Sequence, residues 1–451
     1  MSAPLMISVA GIRGVVGTTL TPPVIATFAA AFARERGEGV IVVGRDARRS
    51  GPAVLRAVAA GLAAAGRDMV DLGLATTPTT QVAVEHLAAA GGVILTASHN
   101  PAEWNALKFL SSRGEFLSAG EAHAVRERAE AGRDLWVGFD RLGAERDEGR
   151  ALEWHLARVL GLEYLDVDRV RERRLRVVVD GCASVGGLAV PPLLRALGAE
   201  VFELDCVPNG AFTRELEPLA EHLGALGAEV TRHGADFGIA LDPDADRAAF
   251  VDHRGVPLGE EYTLALGAQA VLSRRKGPLV TNLSTSLIVD AVCERAGVPI
   301  HRTAVGEAHV VAGMRARGAV VGGEGNGGLI LPAAHHGRDG LVAAALMAQA
   351  VTESGCTLRE LADRLPRYAM IKSKMNRLDE PWERAATRLR SSFPEFSLDE
   401  TDGLRFSSEE EWVHVRASGT EPVVRVIAES PEALRTRALV DRADRALRAA
   451  Q

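Results

Sequence analysis

Cysteine is scarce in this chain: four among 451 residues, Cys182, Cys206, Cys293 and Cys356, far apart and with no CxxC pair. That spacing fits a reducing cytosol better than a disulfide framework. No apolar run reaches the roughly 18 residues a membrane span needs, so no membrane partner is expected. The alanine-rich runs are broken by Arg56 or Arg67 and read as amphipathic helices. The start, "MSAPLMISVAGIRG", lacks a basic n-region followed by a long apolar h-region, so no signal peptide is expected. An excess of basic charge is missing too. A net charge of −7 and a pI near 6 argue against a general nucleic-acid binder, while leaving room for local basic sites that hold anions. A cytoplasmic protein acting on small molecules is the expectation. What is abundant is apolar surface: 47% of residues are hydrophobic, enough for real cores, and the length suggests about three domains.

The chain carries a weak internal repeat. "VIVVGRDARRSG" reads as an apolar strand ending in a small polar loop, followed by helix, strand, helix and the strand "VILTASHNP". "LRVVVDGCASVGG" opens a second copy that passes through helix "EPLAEHLGALGAEVTRHG" into "DFGIALDPDADR". "PLVTNLSTS" opens a third, ending in "AVVGGEGNGG". Alternating strands and helices imply βαβ units with mostly parallel sheets. In such sheets ligands sit beyond the carboxyl ends of strands, so "TASHNP", "DPDADR" and "GEGNGG" are predicted to converge on one cleft. The C-terminal part differs, with four strands and two helices (near 381–392 and 431–449) that read as a smaller α+β domain. "SRRKG" (273–277) and "SSEEE" (407–411) read as solvated turns.

Four loops carry residue types suited to chemistry. "DPDADR" sets Asp242, Asp244 and Asp246 at alternate positions, which in an extended segment point the same way. Carboxylates so close repel unless a cation or arginine neutralises them, and hard cations such as Mg²⁺ suit oxygen donors. An EF-hand is excluded, because Arg247 and His253 stand where it needs glycine and glutamate. A solvated acidic turn, or a structural Arg247–carboxylate pair, is the plain alternative. "RASGTEPVVRV" joins Arg416, Ser418, Gly419, Thr420 and Arg425, a set suited to phosphate, or else an ordinary hairpin. "TASHNP" offers Ser98 as a nucleophile or phosphate carrier, with His99 and Asn100 as donors, or else a turn before Pro101. A serine-hydrolase triad is not expected, since adjacent side chains on an extended chain point apart and there is no G-x-S-x-G. Lys108 follows at strand-like spacing and would serve as an acid/base if its pKa were lowered. "GGEGNGG" places Glu324 and Asn326 among glycines but lacks the dinucleotide-binding spacing. His335 and His336 show no partner at metal-ligand spacing and read as surface or packing residues.

Taken in order, "GIRGVVG", "GRDARRSG", "TASHNP", "DPDADR", "VGE", "GGEGNGG" and "RASGTEP" resemble the α-D-phosphohexomutases, the phosphoglucomutase/phosphomannomutase superfamily, over nearly the whole chain. The resemblance implies an α/β fold in which three related βαβ domains with mixed, mostly parallel sheets and a smaller C-terminal α+β domain surround a central cleft. The implied domains are 1–148 with the serine loop, 149–253 with the metal loop, 254–365 with the sugar loop and 366–451 with the phosphate loop. It further implies interconversion of hexose 6-phosphate and hexose 1-phosphate through a phosphoserine at Ser98 and a bisphosphate that turns end for end. Mg²⁺ would be held by Ser98, Asp242, Asp244 and Asp246. Arg13, His99, Lys108 and Arg247 would line the reacting centre, and Glu324 and Asn326 would meet sugar hydroxyls. Arg416, Ser418, Gly419, Thr420 and Arg425 would hold the resting phosphate. A hexose 1,6-bisphosphate is the expected activator, phosphosugars the expected partners, and a monomer or homodimer the expected state.

The chain departs from many members in the sugar loop. Where they carry "GEMSGH" or "GEQSGH", Asn326 replaces the serine and Gly328 the histidine. A histidine acid/base cannot be assigned there, which leaves Lys108 as the leading candidate. "TAVGEAHV" (303–310) resembles the phosphoglucosamine mutase pattern more than the "KTGH" loop of phosphomannomutases, so glucosamine phosphate is the expected substrate, with glucose or mannose phosphate as the alternative. A phosphosugar-binding regulator is disfavoured by the intact serine, aspartates and lysine. A phosphatase is disfavoured because a separate holding site has little use in hydrolysis.

Overall fold

An N-terminal hairpin, β1 (Met6–Ser8) with β2 (Gly11–Val15), leads into the first of three related units. The computed structural model describes residues 5–8, 11–376, 380–417 and 423–448, and every count below concerns those residues. The first unit runs through β3 (Ile41–Arg45), β4 (Met69–Leu74), β5 (Gly91–Leu95) and β6 (Trp104–Leu110). β3 pairs in parallel with β4 and β5, and β6 returns antiparallel to β5. The hairpin extends this sheet beyond β6, and β7 (Glu145–Asp147) extends it beyond β4. The second unit comprises β8 (Arg176–Asp180), β9 (Glu200–Leu204), β10 (Phe237–Leu241) and β11 (Ala248–Asp252). The third comprises β12 (Leu279–Asn282), β13 (Ile300–Thr303), β14 (Val321–Glu324) and β15 (Gly328–Ile330). All three units share one spatial order, with the fourth strand beside the third, then the first, then the second. The sequence repeat is thus a topological repeat, and in each copy an antiparallel return strand follows the loop of interest. β5 and β10 are buried along their whole length, which is why they read as unbroken apolar runs.

The second and third units share one core. The helix Gly340–Ser354 is apolar on nearly every side and buried through most of its length, as a helix enclosed by neighbours must be. It packs against the helices Gly186–Ala196 and Glu261–Arg274 of the two units. Asp339 starts it sharply: its side chain accepts from the backbone N–H of Leu341 at 2.7 Å and of Val342 at 3.2 Å.

The C-terminal sheet is antiparallel throughout: β16 (Ala369–Asn376), β17 (Ser397–Asp399), β18 (Leu404–Ser407), β19 (Trp412–Ala417) and β20 (Val423–Ser430), in the order β16–β20–β19–β18–β17. The helices Trp382–Ser392 and Ala433–Arg448 close its core. Four sheets match the four domains that the resemblance implied, one more than length alone suggested. Two sequence expectations are corrected. The short strand β17 escaped notice, because its three exposed or half-buried residues leave no apolar pattern. The helix expected over 217–234 is a single turn at Ala220–His222 followed by Gly224–His233. "SRRKG" and "SSEEE" are largely exposed, as expected, although Ser273 and Arg274 finish a helix rather than form a turn.

Candidate active site

β5 ends at Leu95, and the next residues bend sharply. Ser98 adopts φ +49°, a left-handed conformation that costs a non-glycine residue energy and persists only where its surroundings enforce it. The enforcement comes from Arg48, which is fully buried. Its guanidinium donates to four carbonyls of the loop: Ser98 at 2.5 Å, Asn100 at 2.6 Å, Pro101 at 2.7 Å and Trp104 at 3.0 Å. Asp46 anchors that guanidinium at 3.1 Å and accepts the Thr96 hydroxyl at 2.6 Å. Arg48 and Asp46 belong to "GRDARRSG", which sequence reading had matched as a motif without assigning a role. The bend also overturns the expectation that Ser98 and His99 point apart, because their Oγ and Nδ1 atoms lie 3.5 Å from each other.

The serine hydroxyl donates to Asp242 Oδ2 at 3.0 Å, 144 residues along the chain. The aspartates of "DPDADR" sit on a folded turn, not an extended segment: Ala245 N–H donates to the Asp242 carbonyl, and Ala245 itself has φ +55°. Their carboxylates therefore converge by the turn's curvature instead of strand alternation, with ligand oxygens within 4.8 Å of one another. All three are completely buried. Lys108 on β6 donates to Asp244 Oδ2 at 2.8 Å, and Thr77 Oγ1 donates to the same oxygen at 2.7 Å. Thr77 opens the helix Thr77–His86, whose N-terminal dipole favours a carboxylate at that place. Burial raises the Asp244 carboxyl, but the charge and hydrogen bond of Lys108 and the Thr77 hydroxyl outweigh it and hold it below the usual range. Burial and the negative charges of Asp246 and Asp244 push the Asp242 carboxyl well above it. Arg247 pairs with Glu217 at 3.0 Å and donates its backbone N–H to Asp242 Oδ1 at 3.2 Å. Arg13 on β2 donates to Asn100 Oδ1 at 2.5 Å. Around His99, burial and the nearby Arg247, Arg13 and Arg425 charges lower the imidazole pKa well below its ordinary value.

The sugar loop joins through a residue that sequence reading missed. Arg338, buried at the start of the helix Gly340–Ser354, donates to Asp246 Oδ2 at 2.5 Å, to Glu324 Oε2 at 2.9 Å and to Glu307 Oε2 at 2.9 Å. Burial would lower its pKa, but those carboxylates raise it well above the ordinary arginine value. Asn282 and the Gly306 N–H donate to the other Glu324 oxygen at 2.8 and 3.0 Å. Asn326 presents a buried amide oxygen with no partner. A methyl group at Gly328 would lie 2.2 Å from Arg338 Cδ, so no side chain fits there beside this arginine.

The acidic turn suits a hard divalent cation. Among the described residues, Asp244 Oδ1 and Asp246 Oδ1 are buried without a hydrogen-bond partner, although Arg247 Nε lies 3.7 Å from the latter. In the connected buried network, the carboxyl groups of Asp242, Asp244, Asp246, Glu307 and Glu324 outnumber the cations Lys108, Arg247 and Arg338 that face them, and Arg247 is shared with Glu217 as well. Convergent oxygen donors with this surplus of acidic groups fit Mg²⁺.

Two arginines mark the C-terminal end of the site. Arg416 on β19 and Arg425 on β20 are directly paired across the sheet, so two like charges share one face. Burial, together with Arg425, lowers the Arg416 pKa against the pull of Asp402. Ser418, Gly419 and Thr420 lie outside the described residues. Away from these loops, His335 does have partners: its Nε2 meets Asp339 Oδ2 at 3.1 Å, and His155 Nε2 meets the same oxygen at 2.8 Å. Sequence reading overlooked this trio because His155 lies 184 residues from Asp339.

Comparison with known proteins agrees with this arrangement. Family profiles for phosphoglucomutase/phosphomannomutase match in order: alpha/beta/alpha domain I over residues 6–135, domain II over 155–255, domain III over 259–368 and the C-terminal domain over 370–446. A probable phosphoglucosamine mutase of Methanopyrus kandleri is 38% identical, with 96% of this chain and 95% of that protein covered. A phosphoglucomutase/phosphomannomutase of Thermococcus kodakarensis is 37% identical, with 93% of each covered. The crystal structure of a phosphoglucomutase/phosphomannomutase family protein from Burkholderia thailandensis superimposes with a TM-score of 0.87 at 27% identity, covering 100% of this chain and 98% of that one. The chain therefore belongs to the phosphoglucomutase/phosphomannomutase family, the α-D-phosphohexomutases, and is an isomerase of hexose phosphates.

Proposed function

We propose that this isomerase passes a phosphoryl group through Ser98 and that its principal substrate pair is glucosamine 6-phosphate and glucosamine 1-phosphate. The observation that carries the first half is the Ser98 hydroxyl resting on Asp242 beside the Lys108–Asp244 pair. In the first transfer the P–O bond to Ser98 Oγ breaks while one to a sugar hydroxyl oxygen forms, the hydroxyl proton passing to a base; in the second, Ser98 Oγ takes a phosphoryl group back and the released sugar oxygen is protonated. The reverse transfer, from the other position of the bisphosphate, restores phosphoserine. Asp242, Asp244, Asp246 and the Ser98 oxygens would hold Mg²⁺, which when bound neutralises charge on the phosphoryl oxygens. Lys108, Arg247, Arg13 and His99 line the reacting centre. Lys108 is the acid/base candidate, because Gly328 leaves the sugar loop without a histidine. Glu324 and the unpartnered Asn326 amide face the sugar hydroxyls. Arg416 and Arg425, with Ser418, Gly419 and Thr420, would hold the phosphate at rest, because guanidinium forks brought together by the strand register suit phosphate oxygens. A hexose 1,6-bisphosphate would recharge any enzyme whose serine has lost its phosphate.

Mass spectrometry of the purified protein is expected to find phosphate on Ser98, and Ser98→Ala to lose mutase activity by at least a thousandfold. Full activity in that variant would refute the serine route. The choice of sugar rests on the "TAVGEAHV" and "GEGNGG" loops and on the relative described as a phosphoglucosamine mutase. The relative described as a phosphoglucomutase/phosphomannomutase, nearly as similar, supports glucose or mannose phosphate as the second reading. Comparison of kcat/KM for glucosamine 6-phosphate, glucose 1-phosphate and mannose 1-phosphate decides between them, and preference for a neutral sugar would overturn the first.

A further inference from the structure

We infer that Arg338 is a positioning residue that ties the grip on Mg²⁺ to occupancy of the sugar loop, an inference that rests on the assignment of the three aspartates to the metal. A guanidinium is a rigid planar fork, and here its nitrogens are shared among three carboxylates from three elements. Nη2 holds Asp246 of the acidic turn, Nη1 holds Glu324 of the sugar loop and Nε holds Glu307 at the start of the helix Glu307–Arg317. Through its two Nη atoms, Arg338 bridges the sugar loop directly to the acidic turn.

The fork is held at its base. Asp339, the next residue, caps the helix Gly340–Ser354 and accepts from both His155 and His335, so the backbone that carries Arg338 is fixed. Its methylenes occupy the space above Gly328, with Cδ 2.2 Å and Cγ 2.9 Å from where a Cβ would stand. The position that holds a histidine in "GEMSGH" loops is thus closed here by a permanent cation. Arg338 supplies charge and shape there, and it transfers no proton.

Of the two Glu324 oxygens, Oε1 is held by Asn282 and the Gly306 N–H, and Oε2 by Arg338. A sugar hydroxyl that donates to Oε2 shares that oxygen with Arg338 and shifts the guanidinium's balance toward Asp246. By linkage, Mg²⁺ and sugar phosphate then alter each other's affinity by the same factor. Groups that orient metal ligands commonly carry 10- to 100-fold in metal affinity, and the same scale is expected here.

The test is calorimetric titration of MgCl₂ into the full-length protein, with and without saturating glucosamine 6-phosphate, at matched Ser98 phosphorylation. In the parent, the sugar phosphate shifts the Mg²⁺ dissociation constant. In Arg338→Lys, the constant weakens about 10- to 100-fold and the shift disappears. Gly328→Ala keeps the arginine but displaces its stem, and is expected to move Mg²⁺ affinity in the same direction, so a misfolded Arg338→Lys leaves the inference testable. A folded Arg338→Lys or Gly328→Ala that binds Mg²⁺ within twofold of the parent, with the shift intact, overturns it. Failure of the parent itself to bind Mg²⁺, or unchanged binding in Asp246→Asn, refutes the metal assignment instead and the inference with it.

Discussion

Asp339 shows how much one buried carboxylate can be asked to do. One oxygen caps a helix and the other accepts from two histidines, all in the dark between two units. Burial raises its carboxyl, but the charges and hydrogen bonds of His155 and His335 override that and hold it well below the usual carboxylate range. A depressed pKa contributes stability above the unfolded-state value, and that stability is lost as pH falls. Asp339→Asn is therefore expected to lower the unfolding free energy by about 3 kcal/mol at pH 7. In urea titrations at a series of pH values, the gap between parent and variant should begin to narrow below about pH 4 and keep narrowing as pH falls toward the depressed folded-state value. At this scale the sequence was legible where chemistry is concentrated in a few neighbouring letters, as in Ser98 and the three aspartates. Arg48, Arg338 and His155 were not legible, because their meaning lies in partners tens to hundreds of residues away.

Among elements, the β19–β20 pair has the sharpest consequence. Arg416 and Arg425 stand opposite each other across two antiparallel strands, so two guanidinium groups lie close together at one end of the sheet, where a phosphate could be held by both. Inorganic phosphate at millimolar concentration is expected to raise the Tm of the parent, and Arg416→Met to abolish most of that rise while raising KM for the hexose phosphate by about tenfold. Equal stabilisation of parent and variant would remove Arg416 from the phosphate site. The strands themselves were readable from their alternating or unbroken apolar residues. The conformations of their exits were not. Nothing in the letters "DPDADR" says that Ala245 is left-handed, yet that residue replaces strand alternation with a turn and brings the carboxylates together.

Across the whole molecule, three copies of one strand order aim their third-strand exits inward, and the serine, acidic and sugar loops meet through direct contacts. The repeat was visible as recurring apolar strands followed by polar loops. The shared core of the second and third units was not, because it depends on how the helix Gly340–Ser354 is enclosed. That sharing predicts joint unfolding. Leu346→Ala, at the buried centre of the helix, should cost about 3 kcal/mol and shift the unfolding of both units together when followed by hydrogen exchange.

The close approach of the Arg338 stem to Gly328 also makes the two positions interdependent. A histidine cannot be placed at position 328 by that change alone, since it would collide with an arginine that three carboxylates hold in place. Loss of the arginine alone would first leave those carboxylates facing one another. The two positions, ten residues apart, are therefore coupled: substitutions at 328 and 338 are expected to cost less together than the sum of their separate effects.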